Sequence, residues 1–406
     1  MNILFLTLAN INSIHDQNIY TDLLSEFIHC GHSVYIVSPQ ERRYRKDTHL
    51  IQDKQCLILK ARVGNIQKTN LIEKGISTIR LERQFIKAIN KHYSEYKFDL
   101  VLYSTPPITL VKAVDFIKKR DKAFTYLLLK DIFPQNAVDL GILSKSGITG
   151  LLYRYFRYKE KKLYELSDII GCMSQANKEY VLKHNPSVPP GKVEVCPNTI
   201  IPAKIVKTDE SIREIRRKYN IPLDCTVFIY GGNLGKPQGV DFIVRCLKEN
   251  QDRPGVFFVI VGAGTDYVKL EQFMKKDQPE NVLLLQQLPK EEYDKLVNSC
   301  DVGLIFLDHR FTIPNFPSRL LSYMQASIPV IAATDRNTDL GQVIVKGEFG
   351  IWCESKATDE LYQAISALCD MELRRRMGEN ACFYLEKNYT AKQSYEIIIN
   401  HIKGEQ

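Results

Sequence analysis

No two of the ten cysteines stand three residues apart, so the chain has no C-x-x-C pair for zinc or redox chemistry. They are scattered from Cys30 to Cys382, mostly inside apolar runs. That pattern reads as buried free thiols in a reducing compartment, not as a disulfide or metal framework. No apolar run approaches the ~20 residues that cross a bilayer. The opening MNILFLTLAN is apolar but has no basic stretch before it and no small-residue cleavage site after it, so it reads as a first β-strand. No tract is of low complexity, and no fixed-period repeat is present. The expectation is a cytoplasmic protein, held peripherally at most on the inner face of a membrane.

The 406 residues suffice for two or three domains with real cores, and 44% hydrophobic with 25% charged residues is ordinary for globular protein. The charge is uneven. Residues 1–200 hold 29 Lys and Arg against 19 Asp and Glu, a balance of +10; the remainder holds 26 against 28, or −2. The first half is therefore expected to face something anionic: nucleic acid, a membrane surface or a lipid-phosphate acceptor.

Short apolar runs alternate with longer helical patterns. Strands are expected at 2–7, 33–37, 56–60, 99–103, 124–129 and 168–172, with helices at 19–30, 71–92, 107–119 and 147–166. A proline-rich stretch, 184–224, reads as the connection between domains. The alternation then restarts, with strands at 226–230, 256–261, 281–285, 301–305 and 329–332 and helices between them; 371–404 reads as helical. Buried parallel strands with helices on both faces make the fold class α/β, two Rossmann-like halves facing across a cleft. Ligands in such sheets bind outside the carboxyl ends of the strands.

Three strand-to-helix junctions of the second half carry possible chemistry. Gly231-Gly232-Asn233-Leu234-Gly235-Lys236-Pro237-Gln238-Gly239 follows TVFIY. Glycines let backbone approach a phosphate; they equally serve a tight connection. Gly262-Ala263-Gly264 follows VFFVIV and suits close helix–strand packing. The third runs from Phe311 through Pro314, Asn315 and Phe316 to Pro317-Ser318-Arg319. Pro317 and Ser318 suit a helix start, and Arg319 then stands where a cation opposes the dipole, which makes sense beside a bound anion.

The order GGNLG-x-x-QG, VIVGAGTDYVKLE, NVLLLQQLPKEEYDKLVNSCDVGLI and PSRLLSYMQASIPVIA resembles the retaining family-four glycosyltransferases of GT-B fold. LLSEFIHCGHSVYIVSP, LLLKDIFPQNAVDLGIL and KLYELSDIIGCMSQANKEYVLKHNP are similar to those that build bacterial capsule and O-antigen polysaccharides. The resemblance covers essentially the whole chain. It implies an acceptor domain over 1–200, a nucleotide-sugar domain over 201–384 and a helix over 385–406 that returns to the first domain. It also implies retention of anomeric configuration, no cofactor and no essential metal; no D-x-D occurs in the chain. The partners it implies are a nucleotide-diphosphate sugar, UDP-linked and perhaps an N-acetylated deoxy-amino sugar, and a lipid-diphosphate-linked oligosaccharide.

The resemblance places donor contacts at Gly232, Asn233, Lys236, Gln238, Gln287, Leu288, Asn315, Phe316, Ser318, Arg319 and Ser322. Two glutamates usual in the family are replaced by Pro314 and Ser322, and a usual Arg and Lys by Asn233 and Gln238. Arg319 is left as the fixed cation, with Lys236 beside the first junction. The first junction of the N-terminal half reads Asn12-Ser13-Ile14-His15-Asp16-Gln17-Asn18 where relatives often have a glycine pair; His15, Asp16 and Asn18 are its acceptor candidates.

Lys130 and Asp131 follow an apolar strand where relatives carry a His-Asp or Arg-Asp pair, and are the catalytic candidates. Asp131 either meets the acceptor hydroxyl or steadies charge at the sugar carbon, or else caps the segment from Ile132. Asp335 and Asp339 either reach sugar hydroxyls or shape a turn. In 150–164, GLLYRYFRYKEKKLY, aromatic residues interleave with five cations, which suits an anionic bilayer or a packed helix with a solvated side. No nucleic-acid signature is present. Two other readings stay open: a nucleotide-sugar epimerase on the same fold, and a partner protein that has lost catalysis.

Overall fold

The computed structural model describes all residues except 54, 67–70, 206, 252 and 404–406. The last of these lie at the end of the expected C-terminal helix, outside the described residues. The chain divides into two compact units, Met1–Ile201 with Ala391–Gln406, and Pro202–Thr390.

The first unit holds one sheet of eight strands: β1 Asn2–Leu6, β2 Ser33–Glu41, β3 His49–Asp53, β4 Cys56–Val63, β5 Leu100–Ser104, β6 Phe124–Leu129, β7 Ile169–Cys172 and β8 Val193–Val195. Their order is β3-β4-β2-β1-β5-β6-β7-β8. Neighbours are parallel except β3, which turns back on β4. The central strands are apolar on both faces because helices cover both; Ile3, Leu4, Phe5 and Leu6 are all buried. The helices are α1 Ile19–His29, α2 Leu71–His92, α3 Val111–Asp121, α4 Gln135–Asp139, α5 Gly147–Leu166 and α6 Gln175–His184. Crossovers in such sheets are right-handed. The connection β1 to β2 runs one way along the sheet, while β4 to β5, β5 to β6 and β6 to β7 run the other. This puts α1 on one face and α2, α3 and α5 on the opposite one. On the α1 face the C-terminal helix Ala391–Lys403 packs Tyr395, Ile398 and Ile399 against Leu23, Leu24 and Phe27.

The second unit holds a fully parallel sheet of six strands: β9 Thr226–Asn233, β10 Val256–Ala263, β11 Val282–Leu285, β12 Val302–Phe306, β13 Val330–Thr334 and β14 Gly350–Glu354. The order is β11-β10-β9-β12-β13-β14. Its helices are α7 Asp209–Lys218, α8 Val240–Glu249, α9 Tyr267–Asp277, α10 Lys290–Asn298, α11 Arg319–Gln325, α12 Leu340–Lys346, α13 Thr358–Ala367 and α14 Met371–Asn388. Phe228, Phe258 and Leu304 from the sheet meet Ile243, Leu361 and Ile365 from α8 and α13 in its core.

Three differences from the sequence reading have physical causes. The proline-rich 184–224 is not plain connection: it contains β8, and its charged segment is α7, capped by Thr208 and Ser211 in a capping box. The edge strand β3 was not expected, because its burial alternates instead of running apolar. The helical pattern of 371–404 breaks at Tyr389, whose ring is buried against Phe316 and Tyr384.

In each sheet the strand order reverses once, between β1 and β5 and between β9 and β12. Those reversals leave a crevice at the carboxyl ends of the strands, where ligands bind in open α/β sheets.

Candidate functional site

At the reversal of the second sheet, β9 ends in Tyr230-Gly231-Gly232-Asn233. Tyr230 is buried, and its hydroxyl donates to the Asn233 carbonyl at 2.6 Å. Arg319, the first residue of α11, lays its guanidinium over that ring, 4.4 Å from the centroid. Its Nη1 is shut off from solvent and has no hydrogen-bond partner. The guanidinium also rests on Gly232: a Cβ there would fall 2.9 Å from Nη2 and 3.0 Å from Cζ. Gly232 has φ +138, a value side chains rarely adopt. A Cβ on Gly231 would lie 2.0 Å from the Tyr293 hydroxyl. The glycine pair is thus required by the side chains that close on it.

Tyr323 completes the wall. Its hydroxyl lies 3.2 Å from the carbonyls of Ile229 and Leu304 and accepts the Gly231 N–H at 3.2 Å, tying β9 to β12. Burial pushes its phenol up to about 12, so it stays neutral. Tyr230, Tyr293 and Tyr323 therefore surround the cation without neutralising it, and among the described residues no carboxylate pairs with Arg319. A guanidinium with one donor shut off from solvent and unused is costly unless an anion completes it.

The other candidates of this unit divide into two groups. Asn233 is exposed at the strand end, but its Nδ2 donates to Gln238 Oε1 at 2.7 Å, which also accepts the Gly235 N–H at 3.3 Å. Gln238 is buried and braces the loop. Lys236 is exposed and opens a short 3-10 turn. Gln287 is exposed and Leu288 half-buried just beyond β11. Ser318 is exposed and stands at the helix start expected for it, the N-cap position of α11, with φ/ψ of −64 and −18 and no side-chain capping bond. Ser322 follows one turn later, half-buried. Pro314 and Phe316 are buried; the Asn315 Nδ2 is buried without a hydrogen-bond partner, and its carbonyl accepts from the Thr338 hydroxyl at 2.6 Å. Asp335 Oδ1 accepts the N–H groups of Asn337 and Thr338, a turn role; Asp339 precedes α12. Gly262 packs on the glycine pair, its would-be Cβ only 1.9 Å from the Gly232 carbonyl.

In the first unit, Thr7 after β1 and Ser104 at the end of β5 face one another, hydroxyl to hydroxyl at 3.4 Å. Beside them the Thr105 hydroxyl accepts the N–H groups of Lys130 and Asp131 at 3.0 and 3.3 Å, just beyond β6. Both Asp131 oxygens accept from Asn136 Nδ2 at 2.8 Å. Burial raises the Asp131 carboxyl to about 6. The N-cap of α4 is Pro134, so Asp131 does not cap it. Burial lowers Lys130, whose Nζ points at the carbonyls of Cys196 and Pro197. The loop before α1 is self-bonded. Asp16 accepts the N–H groups of Asn12 and Ser13, and Asn18 caps α1. His15 has a 62% exposed side chain, 3.9 Å from Asp53. Beneath the loop, buried Lys60 donates to Asn10, the Ile11 carbonyl and Ser38; burial lowers its amine to about 8.

The sequence reading named Arg319, Gly232 and Asp131; it did not name Tyr230, Tyr293 and Tyr323, which gather at Arg319 and the glycine pair, or Asn136, which binds Asp131. Tyr230 had one signal, its place as the last side chain before a glycine pair. Among the described residues no group of three or more His, Cys, Asp or Glu could hold a metal ion.

Residues 211–382 match the family described as Glycosyl transferases group 1. A probable glycosyltransferase of Pseudomonas aeruginosa, WbjE, is 24% identical over 81% of this chain and 80% of its own length. Sucrose-phosphate synthase from Thermosynechococcus elongatus has the same fold, with TM-score 0.77 and 14% identity over 100% of this chain and 99% of that one. So does Anabaena HepE, solved in complex with UDP and glucose, with TM-score 0.72 and 15% identity over 100% of both chains. The two-unit α/β architecture is that of the GT-B fold, and residues 211–382, which match the glycosyl transferases group 1 model, all lie in the second unit.

Proposed function

We propose that the chain is a retaining glycosyltransferase. It takes a sugar from a nucleoside-diphosphate donor, UDP-linked and carrying an N-acetylated deoxy-amino sugar. It passes that sugar to a lipid-diphosphate-linked oligosaccharide in capsule or O-antigen synthesis. The observation that carries this reading is the unneutralised Arg319 guanidinium at the carboxyl end of β9, stacked on Tyr230 with its Nη1 buried and unpartnered. A diphosphate supplies the anion that this cation lacks, and its bonds to Arg319 are charge-assisted. The backbone at Gly232 and Asn233 and the side chains of Lys236 and Ser318 add donors nearby. HepE, held with UDP and glucose, supports a UDP-linked donor.

In this reading the acceptor hydroxyl bonds to the anomeric carbon on the face from which the diphosphate departs. The carbon–oxygen bond to the diphosphate breaks, and the hydroxyl proton passes to a diphosphate oxygen. Arg319 stabilises the charge that grows on the leaving group. Asp131 accepts a hydrogen bond from the acceptor hydroxyl and orients it; Lys130, turned to backbone carbonyls, supports that segment. No metal takes part. Among the described residues no helix is long and apolar enough to cross a membrane. The +10 balance of residues 1–200 supports peripheral attachment at the cytoplasmic face.

Calorimetric titration with UDP in the presence of EDTA tests the donor site. Saturable binding that weakens in Arg319→Ala is expected. Folded, monodisperse protein that binds no nucleoside diphosphate overturns the reading. Conversion of the donor to an isomer without any acceptor favours the epimerase instead.

A further inference from the structure

Helix α2 turns a row of cations outward. Arg80, Arg83, Lys87 and Lys91 succeed one another at spacings of three and four, so they share a face. All four are exposed, and among the described residues none forms an ion pair. The acids of α2 are engaged elsewhere. Glu82 is buried, bound to Lys159 of α5 at 3.1 Å and to the Lys112 N–H of α3 at 2.8 Å; Glu73 binds Arg42. Other solvated helices of this chain offset their charges at the same spacings. In α10, Lys290 meets Asp294 and Glu291 meets Lys295; in α14, Arg375 meets Glu372 and Glu379. The face of α2 has no such compensation, so its repulsion is relieved only by an anion from outside.

Glu82–Lys159 joins α2 to α5 in the helical layer that they share with α3. On α5 the exposed side chains include Arg154 and Lys161, also unpaired among the described residues, and a group of apolar ones. Leu151 is 63% exposed, Leu152 43% and Tyr158 58%. Two adjacent leucines held in water next to unpaired cations describe an interfacial surface. Cations meet lipid phosphates while leucine and tyrosine enter the boundary beneath them.

We propose that the outer faces of α2 and α5 form a docking surface for an anionic phospholipid bilayer. The inference rests on the peripheral-membrane reading above and names the surface that carries it. A nucleic acid would satisfy the cations of α2 but would leave Leu151 and Leu152 against a polar backbone, so a bilayer fits both features.

The test is co-sedimentation of the full chain with vesicles of phosphatidylcholine plus phosphatidylglycerol, and of phosphatidylcholine alone, at low and high salt. The wild type is expected to bind the anionic vesicles and to release them as salt rises. Arg83→Glu with Lys87→Glu is expected to weaken that binding at least about tenfold. Leu151→Ser with Leu152→Ser is expected to weaken it while leaving its salt dependence in place. All these positions are exposed, and unchanged circular dichroism with unchanged UDP affinity confirms that the variants fold. Absence of wild-type binding to anionic vesicles at low salt overturns the proposal. So does equal binding by the charge-reversed variant, or displacement of vesicles by single-stranded RNA at lower concentration than lipid. UDP titration reports separately on the donor site, so either reading can fail while the other stands.

Discussion

The Arg319 guanidinium lies flat over Tyr230, 4.4 Å from the ring centroid, and the Tyr230 hydroxyl in turn holds the carbonyl of Asn233. One residue thus steadies both the cation and the backbone beside it. The aromatic face favours the charged guanidinium but cannot cancel it, so the cation stays available to an external anion.

Replacing the cation is the most direct check. Hydrogen bonds to charged groups contribute about 1.5–3 kcal/mol, so Arg319→Ala should weaken UDP binding by about 10- to 150-fold. Arg319→Lys keeps the charge but loses the fork and the stacking, and should fall between the two. Uridine, which has no phosphate, should show no comparable difference. Calorimetry with UDP and uridine separates a phosphate contact from general loosening; equal UDP affinity in all three proteins contradicts the assignment.

The tyrosine can be dissected by parts. Tyr230→Phe keeps the ring under Arg319 and removes the hydroxyl with its bond to Asn233, so UDP affinity should change less than in a variant without the ring, while stability falls by about 1 kcal/mol. Tyr230→Leu removes the cation–π contact, worth about 0.5–2 kcal/mol, and should weaken UDP binding by up to about 30-fold. Urea denaturation and UDP titration of the pair distinguish the two roles. Affinity lost equally in both variants contradicts the stacking argument.

Gly232→Ala places a methyl 2.9 Å from Nη2 on a backbone with φ +138. Both the backbone and the guanidinium must shift. The strain should cost about 1–3 kcal/mol of stability. UDP affinity should fall with it, and a thermal melt with and without UDP reads both. Unchanged UDP stabilisation would show that the guanidinium is not held where the geometry puts it.

These residues also explain what the sequence made legible. Central strands such as 2–7 and 226–230 are apolar runs because both faces are buried, and such runs stand out. The short edge strands β3 and β8 lack that signal. Arg319 was legible because a cation in the first turn of a helix is out of place unless something anionic is near. Tyr293 and Tyr323 were not: a tyrosine on an amphipathic helix looks like core, and their convergence on Gly231 comes from contacts distant in sequence. Asp16 and Asn18 illustrate the reverse case. Their polarity in a strand-to-helix loop resembles a binding site, and locally it closes a turn and caps α1.

Asp131 gives a prediction in pH. Its carboxyl is raised from 3.8 to about 6 by burial, so the native state holds a proton that the unfolded chain has released. The stabilising contribution of this group is therefore fully present below about pH 4 and is lost as pH rises through about 6. Asp131→Asn stays neutral throughout. Its amide can meet Asn136 as both donor and acceptor, because the Asn136 Oδ1 is buried without a partner beside an Nδ2 already turned to residue 131. The melting temperature of the variant relative to wild type should rise from pH 4 to about pH 6 and level off above it. Sugar transfer should do the opposite in wild type, increasing through pH 6 as the carboxylate that orients the acceptor hydroxyl forms, and the variant should lose both the activity and that pH step. A parallel shift of the two melting curves at every pH would place Asp131 in water with an ordinary carboxylate, and would remove it from the acceptor site.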